Sequence, residues 1–185
     1  MANVLVICGS LRKGSFNAMV ARSLPALAPP GMTLTASPPI GTMPLYNADI
    51  QAEGFPAPVT DLADAIRAAD GVLFVTPEYN YSIPGVLKNA IDWVSRLENQ
   101  PFAGKPIAIQ SASQGPLGGA RVQYHLRQCM VFLDALVFNR PEIFIGSVQN
   151  KVNDKGELTD QQTRDFIKQQ LEGFGKFIAR VGSRA

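Results

Sequence analysis

Val4-Leu5-Val6-Ile7-Cys8-Gly9-Ser10-Leu11-Arg12-Lys13-Gly14-Ser15-Phe16-Asn17 begins as an unbroken apolar run and ends in a loop of glycines, hydroxyls and cations. No polar residue alternates within the run, so both faces of the segment must be covered. That pattern belongs to a strand inside a parallel sheet. Val72-Leu73-Phe74-Val75 repeats it. Further β-rich runs are predicted at 4–8, 32–36, 71–76, 106–110 and 138–145, the last interrupted by polar residues. Between them, apolar residues recur at helical spacing in 17–28 and 60–69, after Pro84, and in 118–133. A fifth helix follows, for which Thr159 is read as the cap. Five alternations of strand and helix argue for a three-layer, doubly wound α/β sheet. In 185 residues, five units favour the strand order 2-1-3-4-5 over a six-stranded dinucleotide fold. One domain covering 1–185 accounts for the whole sequence.

Composition narrows the function classes. The chain is 46% hydrophobic and 17% charged, with a formal net charge of +2, and its mean hydropathy is +0.04. It is too apolar for disorder, and its charge is too small and too scattered to indicate nucleic acid. The longest apolar stretch, 129–138, contains Asp134 and is too short to cross a membrane. No basic segment followed by a long apolar one marks a secretory leader, and two cysteines, Cys8 and Cys129, make no disulfide framework. A cytoplasmic setting is the expectation. With His125 as the single histidine, a zinc site or a Ser-His-Asp triad is a poor reading.

Ligands of such sheets sit beyond the carboxyl ends of the strands, at the switch point of the strand order. For the order 2-1-3-4-5, the loops after the first, third and fourth strands line that place. The first, 9–17, combines two glycines with Ser10 and Ser15, a helix N-terminus and Arg12, with Asn17 read as the helix cap. Backbone N–H groups and a guanidinium together suit a phosphate. Gly9 and Gly14 have the Walker A spacing, but Ser15-Phe16 stands where Lys-Ser/Thr is required, and G-x-G-x-x-G is absent. Cys8-Gly9 also lacks the acidic residues a receiver domain needs there. The loop after the third strand, Thr76-Pro77-Glu78-Tyr79-Asn80-Tyr81-Ser82-Ile83-Pro84-Gly85, holds two stiffening prolines and two tyrosines. Such a platform suits a flat ring flanked by rigid surface and bonded at its edge by backbone groups. Phosphate cradle and ring platform together describe a mononucleotide.

These blocks resemble the NADPH-dependent FMN reductases of flavodoxin-like fold. The matching residues are Gly9-Ser10-Leu11-Arg12 with Ser15 and Asn17, then Thr76-Pro77-Glu78-Tyr79-Asn80 running on to Pro84-Gly85, Leu87-Lys88-Asn89-Ala90 and Asp92-Trp93. Ser111-Ala112-Ser113-Gln114-Gly115 with Gly118-Gly119 and Arg121, and Pro44-Leu45-Tyr46-Asn47 with Asp49, extend the likeness. Within the family the chain is most similar to bacterial quinone and chromate reductases. The resemblance implies noncovalent FMN, with Ser10, Arg12, Ser15, Phe16 and Asn17 at its phosphate. Pro77, Glu78, Tyr79 and Asn80, with Ser82 beside them, would hold the ring and ribityl chain, and Ser113 and Gly115 would line the other side. Gly115, Gly118 and Gly119 would let backbone approach the ring. NAD(P)H is the implied co-substrate, and quinones, with chromate, azo or nitro compounds, the implied acceptors. The flavin carries the chemistry, so no catalytic acid, base or metal is expected. Glu78 is expected to hold loop geometry rather than to transfer protons. The rival readings are a flavodoxin-type electron carrier without nicotinamide turnover and a flavin-free adaptor. The carriers are typically acidic, whereas this chain has a pI near 8.6, and its intact loops argue against the adaptor.

The resemblance also implies a dimer, often a dimer of dimers. Trp93 is expected to pack rather than to stack on a flavin, but with Tyr124, Val131 and Phe132 it lies outside the main apolar stripes of the helices, and such surplus surface favours a subunit contact. Arg121, Tyr124 and Glu142 are the expected polar contacts there. His125 is expected at the surface or an interface.

Overall fold

The apolar runs pair as parallel strands because each can feed two cores at once. In a computed structural model that describes residues 1–182, β1 (Ala2–Cys8), β2 (Met32–Ala36), β3 (Gly71–Thr76) and β4 (Pro106–Ala112) form a parallel sheet in the order β2-β1-β3-β4. Leu5, Ile7, Val72, Phe74, Ile107 and Ile109 point to one face. Val4, Val6, Leu73, Val75 and Ala108 point to the other. The first face is covered by α3 (Ala57–Ala68), α4 (Gly85–Val94) and α5 (Ala120–Phe132), and the second by α1 (Phe16–Ser23) and α6 (Gln161–Gly182). The expected fold class and order, 2-1-3-4-5, are therefore those observed. Among the described residues, no helix is long and apolar enough to cross a membrane.

The fifth strand departs from expectation. Its position is shared by β5 (Leu136–Val137), opposite Pro106 and Ile107, and β6 (Ile143–Ile145), opposite Gln110 to Ala112. Three steps along β4, from Ile107 to Gln110, correspond to six along the partner, from Val137 to Ile143, so the chain leaves the ladder between them. Pro141, which has no N–H to give, lies in the excursion.

Helix boundaries shift for equally local reasons. α1 stops at Ser23 because Pro25 cannot continue it, and Leu24 and Leu27 stay buried on a 3₁₀ turn instead. α6 is capped by Asp160, not Thr159: its carboxylate accepts from the Thr163 N–H at 2.8 Å. A short helix, α2 (Ala48–Glu53), was not foreseen. Trp93 proves to be core, with no exposed surface, and offers nothing to a subunit contact. Its Nε1–H donates to the Pro44 carbonyl at 2.8 Å, and its ring meets Tyr46 edge-on at 5.0 Å. Asn89 donates to the same carbonyl and accepts from the Tyr46 N–H, so α4 pins the loop after β2 at three points.

Candidate functional site

β1, β3 and β4 end at Cys8, Thr76 and Ala112, each strand after β1 running one residue beyond its neighbour in register, so the three loops that follow them open at one edge of the sheet. The first two touch. The Gly9 N–H donates to the Val75 carbonyl, and a Cβ at Gly9 would collide with Thr76 Oγ1, so only glycine permits this approach. Neither Gly9 nor Thr76 was expected to join the loops, and their motif context carried no signal for it.

In the first loop Ser15, not Asn17, caps α1, its hydroxyl accepting from the Ala18 N–H. The Phe16 and Asn17 N–H groups therefore start the helix with no acceptor among the described residues, facing the loop end. Asn17 is turned inward. Its Nδ2 donates to the Ala112 carbonyl and its Oδ1 accepts from the Ala112 N–H, both at 2.9 Å, clamping α1 to the end of β4. Arg12 lies 5.7 Å over the Phe16 ring, and neither Arg12 nor Lys13 has a carboxylate partner among the described residues. Unpaired N–H groups and unpaired cations form a cradle that fits a phosphate. Beside Ser10, whose carbonyl takes the Cys8 thiol as a weak donor at 3.8 Å, burial pushes that thiol's pKa up, toward an inert group.

The second loop is a tight hairpin. Tyr79 and Ser82 exchange N–H···O bonds at 3.1 and 2.9 Å, and the residues between them, Asn80 (φ 49°) and Tyr81 (φ 67°), are both left-handed. Two-residue turns with this backbone ordinarily take Asn and Gly; a tyrosine at the second position is strained. The Arg121 guanidinium covers it, 3.9 Å from the ring centroid. Glu78 points to the start of α5: one oxygen accepts from the Arg121 and Val122 N–H groups at 3.0 and 3.2 Å, and the other meets Arg121 Nη1 at 3.3 Å. All of the carboxylate's bonds here run to α5. The N–H groups of Glu78, Asn80 and Tyr81 have no acceptor among the described residues and can bond the edge of a ring. Ser82 Oγ lies 3.0 Å from His125 Nδ1, which ties the exposed histidine to the hairpin.

In the third loop the Ser113 N–H donates to Ile145 and its hydroxyl to the Gly115 carbonyl at 3.0 Å. Gly115 has open space around it, as a ring contact requires. Gly118 and Gly119 do not share that role. Both have left-handed φ, and an added Cβ would strike the Phe144–Gly146 backbone or Ser111, so they serve internal packing.

The predicted polar trio separates. Arg121 is engaged by Glu78 of its own chain and has no bond to Glu142. Glu142 instead lies 3.8 Å from Arg127 and bonds the Tyr124 hydroxyl, which holds the phenol above its ordinary pKa.

The model of the family described as NADPH-dependent FMN reductase matches residues 2–150. A quinone reductase of Escherichia coli is 61% identical over 180 residues, 96% of each chain. An NAD(P)H-dependent FMN reductase of Pseudomonas aeruginosa is 51% identical over 178 residues, again 96% of each. Among solved structures, the flavoenzyme NAD(P)H:(acceptor) oxidoreductase FerB from Paracoccus denitrificans superposes with a TM-score of 0.88 at 35% identity, covering 97% of this chain and 98% of its own.

Proposed function

The chain belongs to the NADPH-dependent FMN reductase family, and on that premise we propose how its loops perform FMN-dependent NAD(P)H:quinone oxidoreduction. The observation that carries the assignment is the convergence, through Gly9 and Thr76, of an unpaired cationic phosphate cradle with a stiff ring platform. FMN, when bound, supplies the hydride and electron chemistry. Arg12, the Ser10 hydroxyl and the Phe16 and Asn17 N–H groups hold its phosphate, with Ser15 fixing the helix start that presents them. Backbone groups of Pro77, Glu78, Tyr79 and Asn80, beside Ser82, hold the edge of its ring, and Ser113 and Gly115 close the opposite side. No side chain is required to move a proton.

One domain carries the activity. A single platform implies that nicotinamide and acceptor occupy the same space in turn, and the same exposed face admits chromate, azo or nitro compounds as further acceptors. Initial rates with NADH and NADPH at several fixed quinone concentrations test this directly. Parallel double-reciprocal lines are expected, whereas intersecting lines would require both substrates bound together and would overturn the single-site plan. Failure of NADH and NADPH alike to bleach the bound flavin anaerobically would leave only an electron carrier.

The protein acts as a homo-oligomer in the cytoplasm. Support for assembly comes from α5, where Tyr124, Val131 and Phe132 are 52%, 77% and 86% exposed. Such an apolar face favours a second copy of the chain. Tyr124 and Glu142 supply polar contacts at its margin, while Arg121 is already neutralised by Glu78. The cytoplasmic setting rests on two free cysteines.

A further inference from the structure

α5 begins without a cap of its own. Its first flanking residue is Gly119, in a left-handed conformation and without a side chain to accept the orphan N–H groups of the first turn. The acceptor comes from another loop: Glu78, 43 residues earlier in the chain, bonds the N–H groups of Arg121 and Val122 and the Arg121 guanidinium. The Glu78 side chain is only 13% exposed, so its charge is compensated by those donors and by the positive end of the helix rather than by water. Arg121 in turn lies flat over Tyr81, the residue whose left-handed backbone most needs holding. One carboxylate therefore ties the hairpin 79–82 to the start of α5. These segments border the ring platform after β3 and the loop after β4, the two walls between which a flavin ring would sit.

We propose that Glu78 is a positioning residue that pre-organises both walls of the ring site by capping α5 in trans and holding Arg121 against Tyr81. The inference rests on the flavin-site reading and adds a role that touches no ligand atom through the carboxylate. Without Glu78 two first-turn N–H groups lose their acceptor, Arg121 is free to leave Tyr81, and the hairpin loses its cover. The free protein then samples several loop arrangements, and a ligand must select the competent one, so its apparent affinity falls by the competent fraction. The loss acts on the ring and not on the phosphate.

The test is fluorescence titration of the apoprotein with FMN and with riboflavin, well below the thermal midpoint. Glu78→Ala should weaken both ligands by about tenfold, the size expected for removing a helix cap, and leave their ratio as in the wild type. Glu78→Gln keeps an acceptor oxygen for the two N–H groups but turns an amide NH2 toward the Arg121 guanidinium, so it should fall between the wild type and Glu78→Ala, about threefold weaker than the wild type. A merely structural carboxylate would lower the midpoint and leave both affinities of the folded protein unchanged, and that result overturns the proposal. Glu78→Gln as weak as Glu78→Ala overturns it too, because the acceptor that glutamine keeps for the two N–H groups would then contribute nothing. Should Glu78→Ala not fold, Arg121→Met keeps the two backbone donors that Glu78 caps and removes the guanidinium from both Tyr81 and Glu78. Amide exchange at Tyr79 and Ser82, whose N–H groups close the hairpin, should then quicken in the FMN-free protein, and unchanged exchange refutes the coupling. A wild type that binds neither flavin overturns the site reading itself, and the inference with it.

Discussion

Arg12→Ala isolates the phosphate cradle from everything else in the site. Arg12 has no carboxylate partner among the described residues, and its guanidinium lies against the Phe16 ring, 5.7 Å from the centroid. An exposed cation–π contact of that length contributes about 0.5 kcal/mol, so the substitution should hardly change stability. A charge-assisted hydrogen bond to a phosphate contributes roughly 1.5–3 kcal/mol, and a middle value of about 2 kcal/mol is roughly thirtyfold in Kd. Riboflavin, which has the ring and ribityl chain but no phosphate, should lose less than about threefold. The assay is fluorescence quenching of both ligands on titration with wild-type and substituted apoprotein. Raising the ionic strength should narrow the gap between the two proteins for FMN, because the lost interaction is between exposed charges. Equal losses for FMN and riboflavin would place Arg12 at the ring or in the fold, and the phosphate assignment would be withdrawn.

Trp93→Phe removes the Nε1–H that reaches the Pro44 carbonyl and leaves space beside Tyr46. It should cost about 2–3 kcal/mol in denaturant unfolding, and a loss under about 0.5 kcal/mol would refute the pinning of that loop. Asp160→Ala should cost about 1 kcal/mol at neutral pH through the lost cap of α6. Hydrogen bonding to Thr163 holds the Asp160 carboxyl below its ordinary value of 3.8, so its contribution is complete above that pH and fades as pH falls through the lower folded value. Wild type and variant should therefore converge in acid, and a gap that stays constant down to the acid transition would refute the titration. Light scattering at micromolar concentration should find an oligomer that Tyr124→Ala and Glu142→Gln weaken. A monomeric wild type removes the interface, and an unaffected oligomer removes these two residues from it.

Strands were most legible where burial on both faces leaves no freedom: β2 and β3 begin and end at the residues expected, Met32–Ala36 and Gly71–Thr76. The fifth strand was misread because periodicity reports where apolar side chains must go, not whether the ladder stays in register around Pro141. Caps were read to within two residues, since Ser15, Asn17, Thr159 and Asp160 all have the right chemistry and only backbone geometry chooses among them. Trp93 illustrates a different limit. Helical spacing put it off the main stripe, but the loop after β2 folds over α4 and buries that side as well, and no pattern within α4 could announce a cover supplied from elsewhere. The same holds for Gly9, whose partner Thr76 is far away in sequence and becomes its neighbour only through the pairing of β1 with β3.

The candidate site shows why motif residues can sit at the right address and have a different task. Asn17, in the first turn of α1, and Glu78, in the loop after β3, both border the candidate site, and both are polar, which is the pattern a direct contact would produce. Each instead directs its side chain at the backbone of a neighbouring element: Asn17 at Ala112, joining α1 to β4, and Glu78 at Arg121 and Val122, joining the hairpin to α5. Loops that must present backbone N–H groups to a ligand cannot hold one another through those same groups, so side chains have to do the joining. An amide with one donor and one acceptor aimed at a single residue suits the first task, and a carboxylate facing two N–H groups and a guanidinium suits the second. The specificity of the run from Thr76 to Trp93 thus reflects the assembly of the site as much as its contacts: Glu78 fastens one wall, Asn89 and Trp93 fasten the loop after β2, and between them the Asn80 and Tyr81 N–H groups are left without an acceptor among the described residues.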